Sequence, residues 1–287
     1  MPLKFEDYKE LTYGSFTYRC NYQAFLYGEA TDIGGGTVTK EEIDIIAEHP
    51  GLDRISVAGL HQDTFDYFVH TYGHRFKAIY FFKNKTVADL SALAELENIE
   101  VIGYFLNQRA DKLWNMSGNK RLKMLEISDF SRLKDFSGIE TAPALEALEF
   151  GNKIWARTVL DNVPNMSGAR LKYVSYNADI GLDNTYRLLQ APDLKKLNFA
   201  KNAYPVEFVA WICSNYPGLE GFCLKPYVEF DDGSGFITGK RKPHFSDINN
   251  EKDKKKVDKA VRRFEEMKEK VRGLSFAEIV GIIDRAV

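Results

Sequence analysis

The sequence predicts an α/β repeat chain in which each repeat supplies one strand and one helical or irregular return segment. Three observations carry this. The pattern apolar-x-x-apolar-x-apolar opens at Leu52, Phe76, Ile99, Leu122, Leu145, Leu171, Leu194 and Leu219, with spacings of 24, 23, 23, 23, 26, 23 and 25 residues. A fixed period of this length marks stacked repeats, because one such unit cannot bury its apolar face alone. Within each match, as in LDRISV, FKAIYF and LKMLEI, the residues alternate with the period of a strand. Between matches, residues 63–71 (DTFDYFVHT) and 205–215 (PVEFVAWICSN) switch to helical spacing.

The elements follow in order. Residues 16–18 and 24–27 read as strands and 34–36 (GGG) as a loop. Thr39 and Glu42 form a capping box ahead of a helix ending near Ala47. The segment 42–57 parallels 205–224, so the first 51 residues read as a cap with a half-repeat. The segments opening at Asp89 (DLSAL) and Asp135 (DFSGI) are too short for α-helix and predict 3₁₀ or irregular turns. Pro164 and Gly168 oppose a long helix over 158–168. Pro205 suits the first turn of the helix it opens. After the repeats of 52–226, residues 227–230 and 236–238 flank DDGSG as a hairpin. Val257, Ala260, Phe264, Met267 and Val271 then form one apolar stripe on a charged helix from about Asn250 to Arg272. Ser275 and Glu278 cap a last helix carrying Phe276, Ile279, Val280 and Ile283. Residues 227–287 thus read as a C-terminal hairpin and helical cap.

Over residues 52–226 the chain resembles the leucine-rich repeat family. Asn84, Asn107 and Asn202 fill the family's asparagine slot, whereas Leu60, Phe130, Lys153, Asp179 and Tyr227 depart from it. Aromatics replace leucine at core slots including Phe76, Phe81, Tyr104, Phe150, Tyr176 and Phe199. The DLSAL and DFSGI segments look like the convex half of bacterial internalin-type repeats. The resemblance implies an α/β solenoid, a horseshoe of about eight repeats with a parallel sheet on its concave face. It also admits bacterial adaptors and immunity partners of toxins as functional relatives.

Composition narrows the class. The 287 residues are 44% hydrophobic and 28% charged, with a net charge of −2, which excludes disordered and fibrous chains. No apolar run approaches a bilayer span. Residues 1–10 carry charges where a secretory signal needs an apolar stretch, and three cysteines leave one unpaired, so a reducing, cytoplasmic setting is expected. Residues 239–287 hold 14 basic and 9 acidic residues, against 25 and 32 in the rest. That basic tail is interleaved with Glu265, Glu266 and Glu269 and lacks base-reading motifs, so nucleic acid is not the expected partner.

In the family's geometry the residues between the buried apolar ones face outward. Tyr80, Phe82, Val101, Phe105 and Met124 would then form an apolar patch, with Glu126 and Glu149 side by side next to it and Tyr173 beyond. The expected function is non-catalytic recognition of a partner protein by this face, the aromatics anchoring and the carboxylates receiving Arg or Lys. The counter-reading places the aromatics under the N-terminal segment. A separate column, Asp53, Lys77, Glu100, Lys123, Glu146, Lys172, Lys195 and Glu220, alternates in sign through its first six members and predicts cross-strand ion pairs that fix register.

Enzyme signatures are weak. Gly34 to Gly36 lack the lysine of a phosphate loop, and His70 and His74 have metal-pair spacing with no third ligand, so no cofactor or metal is expected. The remaining alternatives are an enzyme using Cys223, near Lys225, or the Glu126 and Glu149 pair, and a homo-oligomer formed through residues 250–286.

Overall fold

The computed structural model describes residues 38–154, 158–199, 204–239 and 242–285. The strands expected at 16–18 and 24–27, Trp155 and Asn202 lie outside them. The chain divides into two compact units, Met1–Leu194 and Lys195–Val287.

In the first unit, α1 (Lys40–Asp44) starts on the expected capping box. Glu42 N–H donates to Thr39 Oγ1 and Thr39 N–H to Glu42 Oε2, at 3.3 and 2.8 Å. Six strands follow: β1 (Arg54–Ala58), β2 (Ala78–Phe82), β3 (Val101–Asn107), β4 (Met124–Phe130), β5 (Ala147–Gly151) and β6 (Tyr173–Asn177). They pair in parallel in chain order, so equivalent residues of successive repeats stand side by side: Ile55, Ile79, Ile102, Leu125, Leu148 and Val174. The unit is therefore α/β with a repeat-built, all-parallel sheet.

The return segments differ as their sequences require. Residues 62–72 form α2 (Gln62–Tyr72), burying Phe65, Phe68 and Val69 on one face. The short segments form 3₁₀ turns at Ser91–Glu95, Met116–Gly118 and Ile139–Thr141. Residues 158–168 hold no helix. A further helix, α3 (Gly181–Leu189), forms over a stretch whose residue pattern predicts none, and its buried side includes the polar Asn184 and Thr185. The core between sheet and returns is an aromatic stack. Ring centroids are 5.3 Å apart for Phe65 and Phe81, 5.1 Å for Phe81 and Tyr104, and 5.1 Å for Tyr104 and Phe130. Such contacts add roughly 0.5–1.5 kcal/mol each beyond the area they bury.

The sheet's turns impose a second periodicity. Gly59, Lys83, Leu106 and Asp129, one per repeat just after or within the strand end, all have positive φ, between 56° and 74°. Glycine takes this conformation freely, whereas each of the other three costs roughly 1–2 kcal/mol. The turns are held by buried asparagines. Asn84 Oδ1 accepts from Leu60 N–H at 2.8 Å while its Nδ2 donates to Val57 O at 2.8 Å. One repeat on, Asn107 Nδ2 donates to Val87 O and Asn84 O, and its Oδ1 accepts from Arg109 and Ala110 N–H. The charge column also pairs: Lys77 with Asp53 at 3.4 Å, Lys123 with Glu100 at 3.1 Å and Lys172 with Glu146 at 3.0 Å.

The second unit opens with β7 (Lys196–Phe199) and α4 (Val206–Asn215). Pro205 precedes the helix instead of lying in its first turn. The eighth predicted strand is reduced to one parallel bridge between Lys196 and Glu220, because Leu224 N–H turns back onto Gly221 O at 3.2 Å. The hairpin β8 (Tyr227–Glu229) and β9 (Gly235–Ile237) gains a third antiparallel strand, β10 (His244–Phe245). Then α5 (Glu251–Val271) and α6 (Phe276–Arg285) pack on α4. Val257, Phe264 and Val271 are buried, Ser214 Oγ donates to Lys268 O, and Trp211 Nε1 donates to Leu274 O at 2.7 Å. Three residues of the α5 stripe are thus buried inside the unit, as a helical cap requires.

Two outcomes follow. Asn107→Ala removes the side-chain partner of Val87 O and of the Arg109 and Ala110 N–H groups and should cost about 3 kcal/mol or more in urea unfolding, against less than about 1 kcal/mol for the exposed Lys77→Ala. In the second unit, the Asp253 carboxylate pairs with Lys256 at 2.7 Å and accepts from Ser246 N–H at 3.0 Å. The lysine first, then the N–H, hold it well below the usual carboxylate range. A depressed folded pKa stabilises above the unfolded value of about 3.9, and the benefit is lost as pH falls below that. The stability gap between the natural chain and Asp253→Asn should therefore narrow between about pH 5 and pH 2, measured by denaturant titration across that range.

Candidate functional site

The face of β2 to β6 opposite the aromatic stack carries the predicted site. Parallel register aligns Ala78, Val101, Met124, Ala147 and Tyr173 into one apolar row. Alternation along each strand puts the next column, Tyr80, Gly103, Glu126, Glu149 and Ser175, two residues further on. The Tyr80 ring lies over Gly103, where a Cβ would sit 2.4 Å from the ring carbons, so the missing side chain on β3 makes room for the tyrosine. The third column begins Phe82 and Phe105, whose rings stack with centroids 5.4 Å apart.

Burial corrects the expectation of an open patch. Val101 (0% exposed), Met124 (1%), Phe105 (5%), Tyr173 (8%), Glu126 (0%) and Glu149 (6%) are all buried. Only Tyr80 and Phe82 stay partly exposed. An apolar row of this length on a sheet is costly in water, and parallel sheets are characteristically covered on both faces. The solvent-accessible part of the predicted site is an aromatic edge: Tyr80 and Phe82 with centroids 6.2 Å apart, and Lys83 Nζ 4.7 Å from the Phe82 ring centre.

The two carboxylates do lie side by side, since Glu126 and Glu149 are register partners. They are not presented to a partner's arginine. Glu126 Oε1 accepts from Ser128 Oγ at 3.0 Å and pairs with Lys153 Nζ, while its Oε2 is buried and has no hydrogen-bond partner among the described residues. Lys153 escaped the sequence reading as a partner. It occupies an asparagine slot, 27 residues after Glu126, and reaches back one repeat. Its backbone is fixed by Asp129, whose carboxylate accepts from Lys153 and Ile154 N–H at 2.9 Å each. A buried pair of this kind offsets its own desolvation and adds little net stability, but removing one partner is costly.

Burial sets the chemistry open to the two described cysteines. Cys223 is buried instead of facing Lys225 in solvent, and its thiol donates to Phe199 O at 2.8 Å. Burial pushes its pKa up, outweighing Lys242 and Lys225. Burial likewise pushes Cys213 up to about 11. A protonated thiol is a poor nucleophile. His70 Nδ1 is 2.9 Å from Glu95 Oε2, and no group of three or more His, Cys, Asp or Glu residues suited to a metal occurs among the described residues. No described helix is long and apolar enough to cross a membrane.

No protein-family model matches the chain, and no curated protein matches it.

Burial sets the outcome for the thiol. In the folded chain at about pH 8, Cys223 should resist alkylation by iodoacetamide and react only after unfolding, as read by peptide mass mapping. Rapid modification of Cys223 in the native chain would restore it as a nucleophile.

Proposed function

We propose that this protein is a non-catalytic recognition module of leucine-rich-repeat type, which binds a partner protein through the aromatic edge of its repeat sheet. The observation that carries this reading is the Tyr80 and Phe82 pair. These large rings are partly exposed at the border of a buried apolar row, and they are backed by the Phe105 stack and flanked by Lys83. Rigid aromatics with a dry support beneath them have the character of interface anchors. Val101, Phe105, Met124 and Tyr173 hold the anchors in place in this reading. Glu126 and Glu149 act inside the fold and not at the contact.

The family reading rests on the 23-residue register, the parallel ladder and the asparagines at 84 and 107. A cytoplasmic setting fits the free thiols of Cys213 and Cys223. Adaptor and immunity roles are both compatible with a rigid sheet edge.

The test is site-specific photo-crosslinking in the host cell. A photoreactive phenylalanine at Phe82 should capture a discrete protein, and Tyr80→Glu in the same chain should abolish the adduct. The same probe at the exposed Ile154 or Phe230 should not give that adduct. Equal capture from all three positions would sink the proposal.

A further inference from the structure

The second unit contains a cleft unrelated to the aromatic edge. Its volume is about 280 Å³, and it lies between α5, the start of α4 and the hairpin. Val206, Pro226, Ile237 and Ala260 supply apolar walls. Lys256, Lys259 and Arg263 line the α5 side. Their spacing, with Ala260, is i, i+3, i+4 and i+7, which puts all four on one helix face. That face adjoins the Val257, Phe264 and Val271 stripe that seals α5 onto the unit, and Ala260 lies on the border between the two.

The charges in the cleft do not cancel. Lys256 is committed to Asp253 at 2.7 Å, whose other oxygen is occupied by Ser246. Arg263 meets Glu207 only loosely, at 3.8 Å, and its side chain is 67% exposed. Lys259 is exposed and has no ion-pair partner among the described residues. Three cations against two carboxylates leave one positive charge over an apolar floor. The volume is near the lower end, about 300 Å³, of small-molecule sites.

We infer that this cleft binds a small apolar monocarboxylate, its chain against Val206, Ile237 and Ala260 and its carboxylate between Lys259 and Arg263. One excess charge suits a monoanion, whereas polyphosphates need several cations converging on one point. An apolar tail accounts for the walls, which offer a free inorganic anion nothing.

Isothermal titration of the full chain with octanoate tests this, with octanol and pyrophosphate as comparison ligands. Octanoate should bind saturably at one site, and octanol and pyrophosphate each at least about tenfold more weakly. Lys259→Glu with Arg263→Glu should weaken octanoate by about tenfold or more, whereas Lys252→Glu with Lys270→Glu, the same change in net charge elsewhere on α5, should leave it unchanged. Ala260→Trp, which fills the cleft, should abolish binding, with urea unfolding confirming that each variant is folded. The inference is overturned by the absence of saturable octanoate binding, by equal affinity for octanol, by tighter binding of pyrophosphate, or by equal effects of the two charge reversals.

Discussion

The structure of the first unit depends on how its strand-end turns satisfy their backbone groups. A strand that ends inside a stacked core leaves N–H and C=O groups where water cannot reach, and each unpaired one costs on the order of 1–3 kcal/mol. Asn84 meets this demand by accepting from Leu60 N–H and donating to Val57 O, both in the repeat before, and Asn107 by accepting from Arg109 and Ala110 N–H as the chain leaves its own strand and donating to Val87 O in the repeat before. Because each amide spans two repeats, a turn is complete only when its neighbour is folded. The positive φ of Lys83 is tolerable for the same reason, since its N–H donates to Phe105 O at 2.8 Å and its carbonyl accepts from Lys85 N–H at 2.9 Å. Cooperativity along the stack comes from these links as much as from the aromatic core.

With the turns fixed, the sheet has two apolar faces. One is packed by α2 and the 3₁₀ returns, and the other is the row from Ala78 to Tyr173. The burial of that second row separates two properties that a sequence pattern merges: pointing away from the core, and being open to water. Glu126 illustrates the difference, since it stands in an outward column and is nonetheless sequestered with Ser128 and Lys153. What remains for recognition is the margin where Tyr80 and Phe82 emerge. In the second unit α5 serves two purposes, with one face closing the core and an adjacent face lining the basic cleft.

Much of this architecture is legible in the sequence where local chemistry and long-range packing agree. The period, the strand alternation, both capping boxes and the α5 stripe are written in residues whose burial matches their polarity. Helix α3 is not, because Ile180 at its start offers no capping side chain and Asn184 and Thr185 lie on its buried side, breaking the apolar period. The eighth strand failed for the opposite reason: LEGFCL has the right alternation, but Leu224 closes a turn onto Gly221 before a ladder can extend. For the site, alternation identified the correct columns and the adjacent carboxylates. It left open whether the row is buried, and it did not show that Lys153, a departure from the asparagine slot, was the cation Glu126 needed.

The charge column has one more consequence, for how such a chain can change length. Acid and base alternate from Asp53 to Lys172, and the observed ion pairs join repeats two by two. Removing a single repeat from the interior of this run would set two lysines or two acids on neighbouring strands, whereas removing two would restore the alternation. Repeat number in this part of the molecule therefore carries a parity, and gain or loss by twos is the change the ladder accommodates without like charges meeting.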